Sequence, residues 1–272
     1  MKKIGLVVAM DKEFGLLRGL MSGGRDVSCQ GLEFFEGKIG GKDVVLARSG
    51  MGKVCAAVGV LELIKNFAPD CVINTGVAGG IDVKTQVMDV VAGESVVYHD
   101  VWCGEPNLYG QVQGLPASFA GSRELLDAVT SLDAEVNVYG GQICTGDKFI
   151  TERAELDMIK AKFPDGLAVD MESAAMAQVC HMYRVPFLSL RIISDTPGIE
   201  NHQQQYESFW DEAPKKSLEV VEKLPNCKNS ADSNKFDKIV YTGRIYIYFL
   251  PKICYNYSCN HKYLFYYSGK FL

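Results

Sequence analysis

Three acidic residues follow apolar segments of this 272-residue chain, and their positions suggest acid–base chemistry. Glu13, Glu172 and Asp195 each come just after a short run of apolar residues that is predicted to be a strand. Burying a carboxylate without partners is costly, so acids at strand ends favour a site over a core. In open α/β sheets, ligands bind beyond the carboxyl ends of the strands. We therefore expect the three carboxylates to share one cleft, with the strands before Glu172 and Asp195 as neighbours.

A simpler explanation also fits each acid taken alone. Glu13 and Glu172 would lie in the first turns of helices, where acids interact favourably with the helix dipole. Asp195 has the residue type of a helix N-cap. Helix capping does not explain why all three acids follow strands, so the shared cleft is the interpretation that we favour.

Three further segments have the composition of ligand-binding turns. They are SGMGK at 49–53, NTGVAGG at 74–80, in which a loop is expected after Thr75, and TGDKFI at 145–150. Glycines there permit positive φ and close approach of the backbone to a ligand, and sharp turns alone also account for them. Phe149 and Ile150 are predicted to form either a flat slot for a planar ring or a pair that faces the core.

Alternating strands and helices must position these residues. The predicted strands are Lys3–Ala9, Phe34–Ile39, Asp43–Arg48, Asp70–Thr75, Val87–Tyr98, Gln142–Thr145, Ala168–Met171 and Phe187–Ser194. The predicted helices are Asp11–Met21, Gly52–Phe67, Ser122–Leu132, Thr151–Phe163 and Trp210–Leu224. Gly40 and Gly41 predict a hairpin between two of the strands. This order predicts an α/β fold, a three-layer α/β/α sandwich with a central mixed β-sheet.

Composition limits the classes of partner. The apolar fraction of 47%, the charged fraction of 22% and the net charge of −5 are typical of a globular protein that does not bind nucleic acid. No apolar segment is long enough to span a membrane. The nine cysteines are scattered without a CxxC pair, which predicts free thiols and a cytoplasmic location. The histidines lack the neighbours of a metal site, and we expect neither metal nor cofactor.

The composition changes at Pro225. Residues 225–272 are rich in tyrosine, carry net positive charge and begin with a polar stretch typical of a linker. We therefore predict a catalytic domain at 1–224 and an appended, poorly ordered tail of unknown role at 225–272.

Six motifs, taken in order, resemble one family. They are AMDKE (9–13), SGMGKV (49–54), NTGVAGG (74–80), GDKFI (146–150), VDMESAA (169–175) and RIISD (191–195). The chain resembles bacterial 5′-methylthioadenosine/S-adenosylhomocysteine nucleosidases of the nucleoside phosphorylase superfamily. The resemblance implies a nucleoside phosphorylase-like fold and hydrolysis of the bond between adenine and a 5′-thio-ribose. Such an enzyme serves methionine salvage and the recycling of S-adenosylmethionine by-products.

The resemblance also implies roles for individual residues. Asp195 would protonate nitrogen-7 of adenine, Glu13 would orient and deprotonate the attacking water, and Glu172 would accept hydrogen bonds from the ribose hydroxyls. Phe149 and the backbone of Ile150 would hold the adenine. The remaining implied substrate contacts are Met10, Met51, Gly79, Met171 against the sugar, Arg191 near Glu172, Phe209 as a cap on the adenine, and Tyr109 and Pro116.

The family also implies a homodimer, in which the segment 102–116 would contribute Tyr109 and Pro116 to the partner's site. Some positions depart from the family pattern. Val77 stands where many members have serine, which removes a hydroxyl that could support Asp195. Asp170 replaces a more usual glutamate, and a short insertion at 203–206 precedes Phe209.

Four alternative functions remain open at this point. A phosphorylase of the same superfamily needs cations near the sugar, whereas the first loop offers Glu13 with Lys12 as its only cation. Hydrolysis of another purine nucleoside such as futalosine is a second alternative. A non-catalytic nucleoside-binding protein would have no use for the three acids. A dinucleotide-binding oxidoreductase is disfavoured because the 50–52 turn lacks a third glycine.

Overall fold

The computed structural model describes residues 3–132, 136–196, 206, 207 and 209. The strands are β1 Lys3–Val8, β2 Ser22–Cys29, β3 Leu32–Ile39, β4 Lys42–Arg48, β5 Cys71–Gly80, β6 Val90–Tyr98, β7 Phe119–Ala120, β8 Val138–Thr145, β9 Gly166–Asp170 and β10 Phe187–Asp195. The helices are α1 Asp11–Leu20, α2 Lys53–Phe67, α3 Arg123–Thr130, α4 Arg153–Lys162 and α5 Ser173–Tyr183. The predicted helix Trp210–Leu224 and the predicted tail lie outside the described residues.

The ten strands form one mixed sheet, in the order β2-β3-β4-β1-β5-β9-β8-β6-β10 with β7 paired to β6. Because β10 also pairs in parallel with β5, the last five strands of this order close into a ring. The strands that precede Glu172 and Asp195 are therefore not neighbours, and that prediction is wrong. The end of β5 lies between them, since Gly79 pairs with Val169 of β9 on one side and with Asp195 of β10 on the other.

Helices cover both faces of the sheet. Successive residues of β1 alternate between two hydrophobic clusters, because side chains along a strand point to opposite faces. Leu6 and Val8 belong to the cluster that α1 and α3 cover, whereas Val7 belongs to the cluster that α2 and α5 cover. This arrangement confirms the predicted three-layer sandwich with a mixed central sheet.

The predicted elements in the described residues occur with shifted ends, and the hairpin at Gly40 and Gly41 is confirmed with φ of 55° and 81°. The prediction of a loop after Thr75 is wrong, because β5 continues to Gly80. Gly76 and Gly79 pair with β10, and Gly79 and Gly80 pair with β9, which local sequence does not reveal. The sequence also did not predict β2, a largely exposed strand whose polar, glycine-containing sequence lacks alternation.

In the described part of the chain, no helix is long and apolar enough to cross a membrane. The six cysteines of this part are free, and Cys71, Cys144 and Cys180 are buried.

Candidate active site

The fold brings the three predicted acids to one cavity. Glu13 lies in the first turn of α1, Glu172 precedes α5, and Asp195 ends β10. All three line the same cavity, although their residues are only 7%, 5% and 2% exposed. Such burial is costly for carboxylates unless other groups compensate their charge, so the surrounding contacts decide what they can do.

Glu13 is held by backbone donors. The N–H groups of Ala9 and Met10 donate to its Oε2 at 3.0 and 2.9 Å, and the N–H of Val77 donates to its Oε1 at 3.2 Å. Burial raises the pKa of Glu13, while the positive charge of Arg191 and these hydrogen bonds oppose the rise. A buried, oriented carboxylate with a raised pKa is suited to act as a general base.

Gly76 leaves the space that this carboxylate occupies. A Cβ atom at position 76 would lie 2.6 Å from Oε1 of Glu13 and 2.7 Å from a terminal nitrogen of Arg191. Any side chain here would displace one of these two groups. The glycine of β5 therefore permits the close approach of α1 and β10 at the site.

Arg191 is a fully buried cation of β10 that ties the site together. Its guanidinium lies 2.7 Å from Oδ2 of Asp170 and donates to Oδ1 of Asn74 at 2.6 Å. It also donates to Oγ of Ser173 at 3.1 Å and to the backbone oxygen of Val77 at 3.4 Å. A buried charge is tolerated when it is paired and hydrogen-bonded in this way.

Glu172 bridges this cation and the turn before α2. Its Oε1 accepts a hydrogen bond from the N–H of Gly52 at 2.9 Å, and its Oε2 lies 3.5 Å from Arg191. Burial raises the pKa of Glu172 to about 7, against the attraction of Arg191 and with the repulsion of Asp170. The 49–53 segment was expected to be either a sharp turn or part of a binding site, and it is both. Gly50 and Gly52 have positive φ of 85° and 87°, and the N–H of Gly52 bonds to Glu172.

Asp195 receives a hydroxyl from its own strand. Oγ of Ser194 donates to Oδ1 of Asp195 at 2.7 Å and lies 3.3 Å from the backbone oxygen of Ala78. The serine that Val77 replaces is thus not the only possible source of such a donor. Val77 itself serves the site through its backbone, with its N–H on Glu13 and its oxygen on Arg191.

An aromatic wall faces the buried acids. The ring of Phe149 is 47% exposed and meets the ring of Tyr206 edge-on, with centroids 5.7 Å apart. Ile150 lines the cavity and also packs in a core cluster with Leu156 and Ile159 of α4. Phe149 and Ile150 were expected either to form a slot for a planar ring or to face the core. Ile150 faces the core, and the exposed ring of Phe149 is free to stack on a planar ring.

Most of the other predicted contacts line the same cavity, namely Met10, Met51, Gly79, Met171 and Arg191. Three predicted residues do not line it. Phe209 is buried in the cluster that α1 and α3 cover, and Tyr206 lies at the cavity instead. Tyr109 stacks on Trp102 with ring centroids 6.2 Å apart, and Pro116 lies on the same exposed segment.

The comparison with known proteins rests on nearly the whole described chain. The model of the phosphorylase superfamily matches residues 3–225. The 5′-methylthioadenosine/S-adenosylhomocysteine nucleosidase of Tolumonas auensis is 39% identical over 226 residues, which cover 80% of this chain and 96% of that protein. The chain belongs to this nucleosidase family. The nucleosidase of Bacillus subtilis is 38% identical over 227 residues, covering 82% and 97% of the two chains.

Solved nucleosidase structures share the fold. A structure from Colwellia psychrerythraea in complex with adenine has a TM-score of 0.78 and 34% identity, covering 82% of this chain and 94% of that one. A structure from Neisseria meningitidis in complex with methylthio-immucillin-A has a TM-score of 0.77 and 36% identity, covering 82% and 98%.

The sequence did not predict the polar residues that hydrogen-bond to Arg191 and to the carboxylates of the site. Asn74, Ser173 and Ser194 are small polar residues within apolar segments, which is the one feature that could have revealed them. Asp170 was noticed only as a departure from the family, yet it is the nearest carboxylate to Arg191. Lys148 and Tyr206 also line the cavity.

Proposed function

We propose that this protein hydrolyses the N-glycosidic bond of 5′-methylthioadenosine and S-adenosylhomocysteine, releasing adenine and the 5′-thio-ribose. The observation that carries this proposal is the convergence of Glu13, Glu172 and Asp195 on one cavity in a member of the nucleosidase family. The reaction recycles by-products of S-adenosylmethionine and feeds methionine salvage.

The proposed reaction begins at the base. Asp195 donates a proton to nitrogen-7 of adenine, whose ring stacks on Phe149, and the bond between C1′ and nitrogen-9 breaks with its electron pair moving to the base. Adenine then leaves as a neutral molecule. Glu172 accepts hydrogen bonds from the ribose hydroxyls and fixes the sugar. These contacts orient the breaking bond, which is a large part of what an active site contributes.

Water completes the reaction on the other side of C1′. Glu13 accepts a proton from the water as its oxygen bonds to C1′. The sugar has oxocarbenium character in this transition state, and nearby carboxylates stabilise positive charge in a buried site. The three backbone donors hold Glu13 in place for this step.

The charges of the cavity favour water over phosphate as the nucleophile. Both lining cations are already paired, Arg191 with Asp170 and Lys148 with Glu155. An incoming phosphate would meet excess negative charge beside the sugar. The lining acids are Glu13, Asp170, Glu172 and Asp195, and the lining bases are Lys148 and Arg191.

A homodimer is part of the proposal. Exposed apolar side chains occur on α2, at the end of α5 and on the segment 102–116, as Val54, Met182 and Trp102 illustrate. Exposed apolar surface of this kind is typical of an interface. In the dimer, Tyr109 and Pro116 would complete the partner's cavity. Light scattering should give twice the mass of the chain, and a fully active monomer at micromolar concentration would contradict the dimer.

The catalytic domain is proposed to be residues 1–224, in the cytoplasm, where the free cysteines of the described part suit a reducing compartment. Truncation after Leu224 should then leave adenine release and the melting temperature unchanged. Loss of either would place residues 225–272 within the functional unit.

The direct test of the function is chromatographic detection of the free purine base, which is adenine from methylthioadenosine and S-adenosylhomocysteine and hypoxanthine from inosine and futalosine. We expect adenine from the first two and no base release from the others. Release from futalosine alone would instead support the alternative purine nucleoside hydrolase.

A further inference from the structure

A second depression opens beside the active-site cavity and shares part of its wall. Ala9, Met10 and Met51 line both. We call it the β3–β4 groove; its other walls are Asp11, residues 31–33 and residues 48–50. A ligand that extends past Met10 and Met51 from the cavity therefore enters the groove.

The groove carries charges of both signs at its outer end. The guanidinium of Arg48 bonds to Asp11 through one terminal nitrogen, and the other lies 3.3 Å from Oε2 of Glu33. The Arg48 side chain is only 35% exposed, whereas those of Asp11 and Glu33 are 82% and 69% exposed. A half-buried guanidinium is therefore held between two acids that remain free to reorient in solvent.

This set of charges complements one chemical group. An α-amino acid carries a carboxylate and an ammonium on the same carbon atom. Guanidinium groups bind carboxylates with paired, charge-assisted hydrogen bonds, and carboxylates bind ammonium groups. Two acids with one arginine leave one negative charge in excess, so the groove can accept the ammonium while Arg48 contacts the carboxylate.

The passage into the groove suits a thioether chain. Met10 and Met51 are flexible and polarisable, which allows them to pack around methylene groups and sulfur. Met51 is 65% exposed, so its side chain has room to adjust. Gly31 faces open space, since a Cβ atom there would meet nothing within 4 Å. The opening is thus apolar at its inner end and polar at its outer end.

The proposed function supplies the direction of the substrate. With the base against Phe149 and the sugar beside Glu172, the 5′ substituent leaves along Met10 and Met51. We propose that the β3–β4 groove binds the zwitterionic amino-acid end of a 5′-thioether nucleoside, the group that S-adenosylhomocysteine has and methylthioadenosine lacks. This inference rests on the proposed function and assigns the residues that distinguish its two substrates.

Three substrates separate this proposal from a structural role of the Arg48 ion pairs. S-adenosylhomocysteine carries the charged end, 5′-butylthioadenosine carries an uncharged chain, and methylthioadenosine carries neither. Steady-state adenine release would be measured for Arg48→Gln and Glu33→Gln, with Arg48→Lys as a variant that retains the charge. Arg25→Gln provides a matched control, because Arg25 of β2 pairs with Glu36 of β3 at 2.6 Å outside the groove.

We expect Arg48→Gln to lower kcat/KM for S-adenosylhomocysteine about fivefold, the upper range for a solvent-exposed ion pair, and to leave the other two substrates unchanged. Glu33→Gln should act in the same direction, Arg48→Lys should be intermediate, and the control should change nothing. An equal loss on all three substrates, or no loss on S-adenosylhomocysteine, would overturn the groove assignment while leaving the proposed function intact. A wild-type protein that releases no adenine from methylthioadenosine would instead overturn the proposed function itself.

Discussion

The inner end of the cavity and its outer rim are built differently. At the inner end, Glu13, Glu172 and Arg191 are buried and belong to or adjoin regular elements. Glu13 and Glu172 accept hydrogen bonds from backbone N–H groups, and Arg191 donates to a buried side chain. At the rim, Phe149 and Met51 lie on connecting segments and are exposed by 47% and 65%. The difference teaches that the groups proposed to break the bond are preorganised by the sheet, whereas the proposed walls around the substrate are left adjustable.

The largest expected effect comes from the inner acids. Glu13→Gln, Glu172→Gln and Asp195→Asn should each lower kcat for methylthioadenosine about a hundredfold or more, because each removes a charge or proton that the reaction needs. Adenine release would be measured beside circular dichroism, with Asp157→Asn on the exposed face of α4 as the control. Near-normal turnover in Asp195→Asn would remove that residue from the mechanism.

Gly76→Ala tests whether the inner end is as tightly organised as its contacts indicate. The added Cβ would meet Glu13 and Arg191 at 2.6 and 2.7 Å. A displacement of this size should lower kcat about ten- to a hundredfold while the protein remains folded. Gly15→Ala in α1 is the matched control, because nothing lies within 4 Å of its Cβ position. Equal activity of the two variants would show that the close approach at Gly76 is unimportant.

At the rim the expected effect is smaller and of another kind. Phe149→Ala should raise KM about tenfold, the cost of losing one aromatic ring from a base, with a lesser change in kcat. Met158→Ala, which removes an even more exposed apolar side chain from α4, should change neither constant. A fall in kcat comparable to that of the inner variants would erase the distinction between the two regions.

The smallest effect concerns stability and pH. The pKa of Glu172 is raised from 4.5 to about 7, so ionising this residue disfavours the folded state increasingly as pH rises between these values. Glu172→Gln removes that penalty. The difference in melting temperature between Glu172→Gln and the wild type should therefore shift in favour of the variant as pH rises from 4.5 to about 7. Above that pH the difference should stay constant. A difference in melting temperature that does not vary with pH would show that burial of this charge costs no stability.

The inner end of the cavity is predicted from the sequence more fully than its outer rim. Glu13, Glu172 and Asp195 were predictable because strand ends are visible as the ends of apolar segments. The pairing of Arg191 with Asp170 and Asn74 was not, because it depends on strands that meet only when β10 closes the ring against β5. Closure also explains why the glycines of 74–80 form a strand.

The rim was predicted less well, for a related reason. Phe209 was expected over the adenine, yet it packs in the core and Tyr206 faces Phe149. Both are aromatic residues three positions apart, and only tertiary packing decides which one is buried. Tyr109 and Pro116 are proposed to complete a partner's cavity, a contact that a single chain does not contain.

The central claim is that buried carboxylates activate water as the nucleophile. Its most direct test is whether adenine release depends on phosphate. Purified protein would be assayed with methylthioadenosine in phosphate-free and phosphate-containing buffer, and the sugar product would be identified by mass spectrometry. We expect equal rates and free 5′-methylthioribose in both buffers. Adenine release that requires phosphate and yields the sugar 1-phosphate would contradict it.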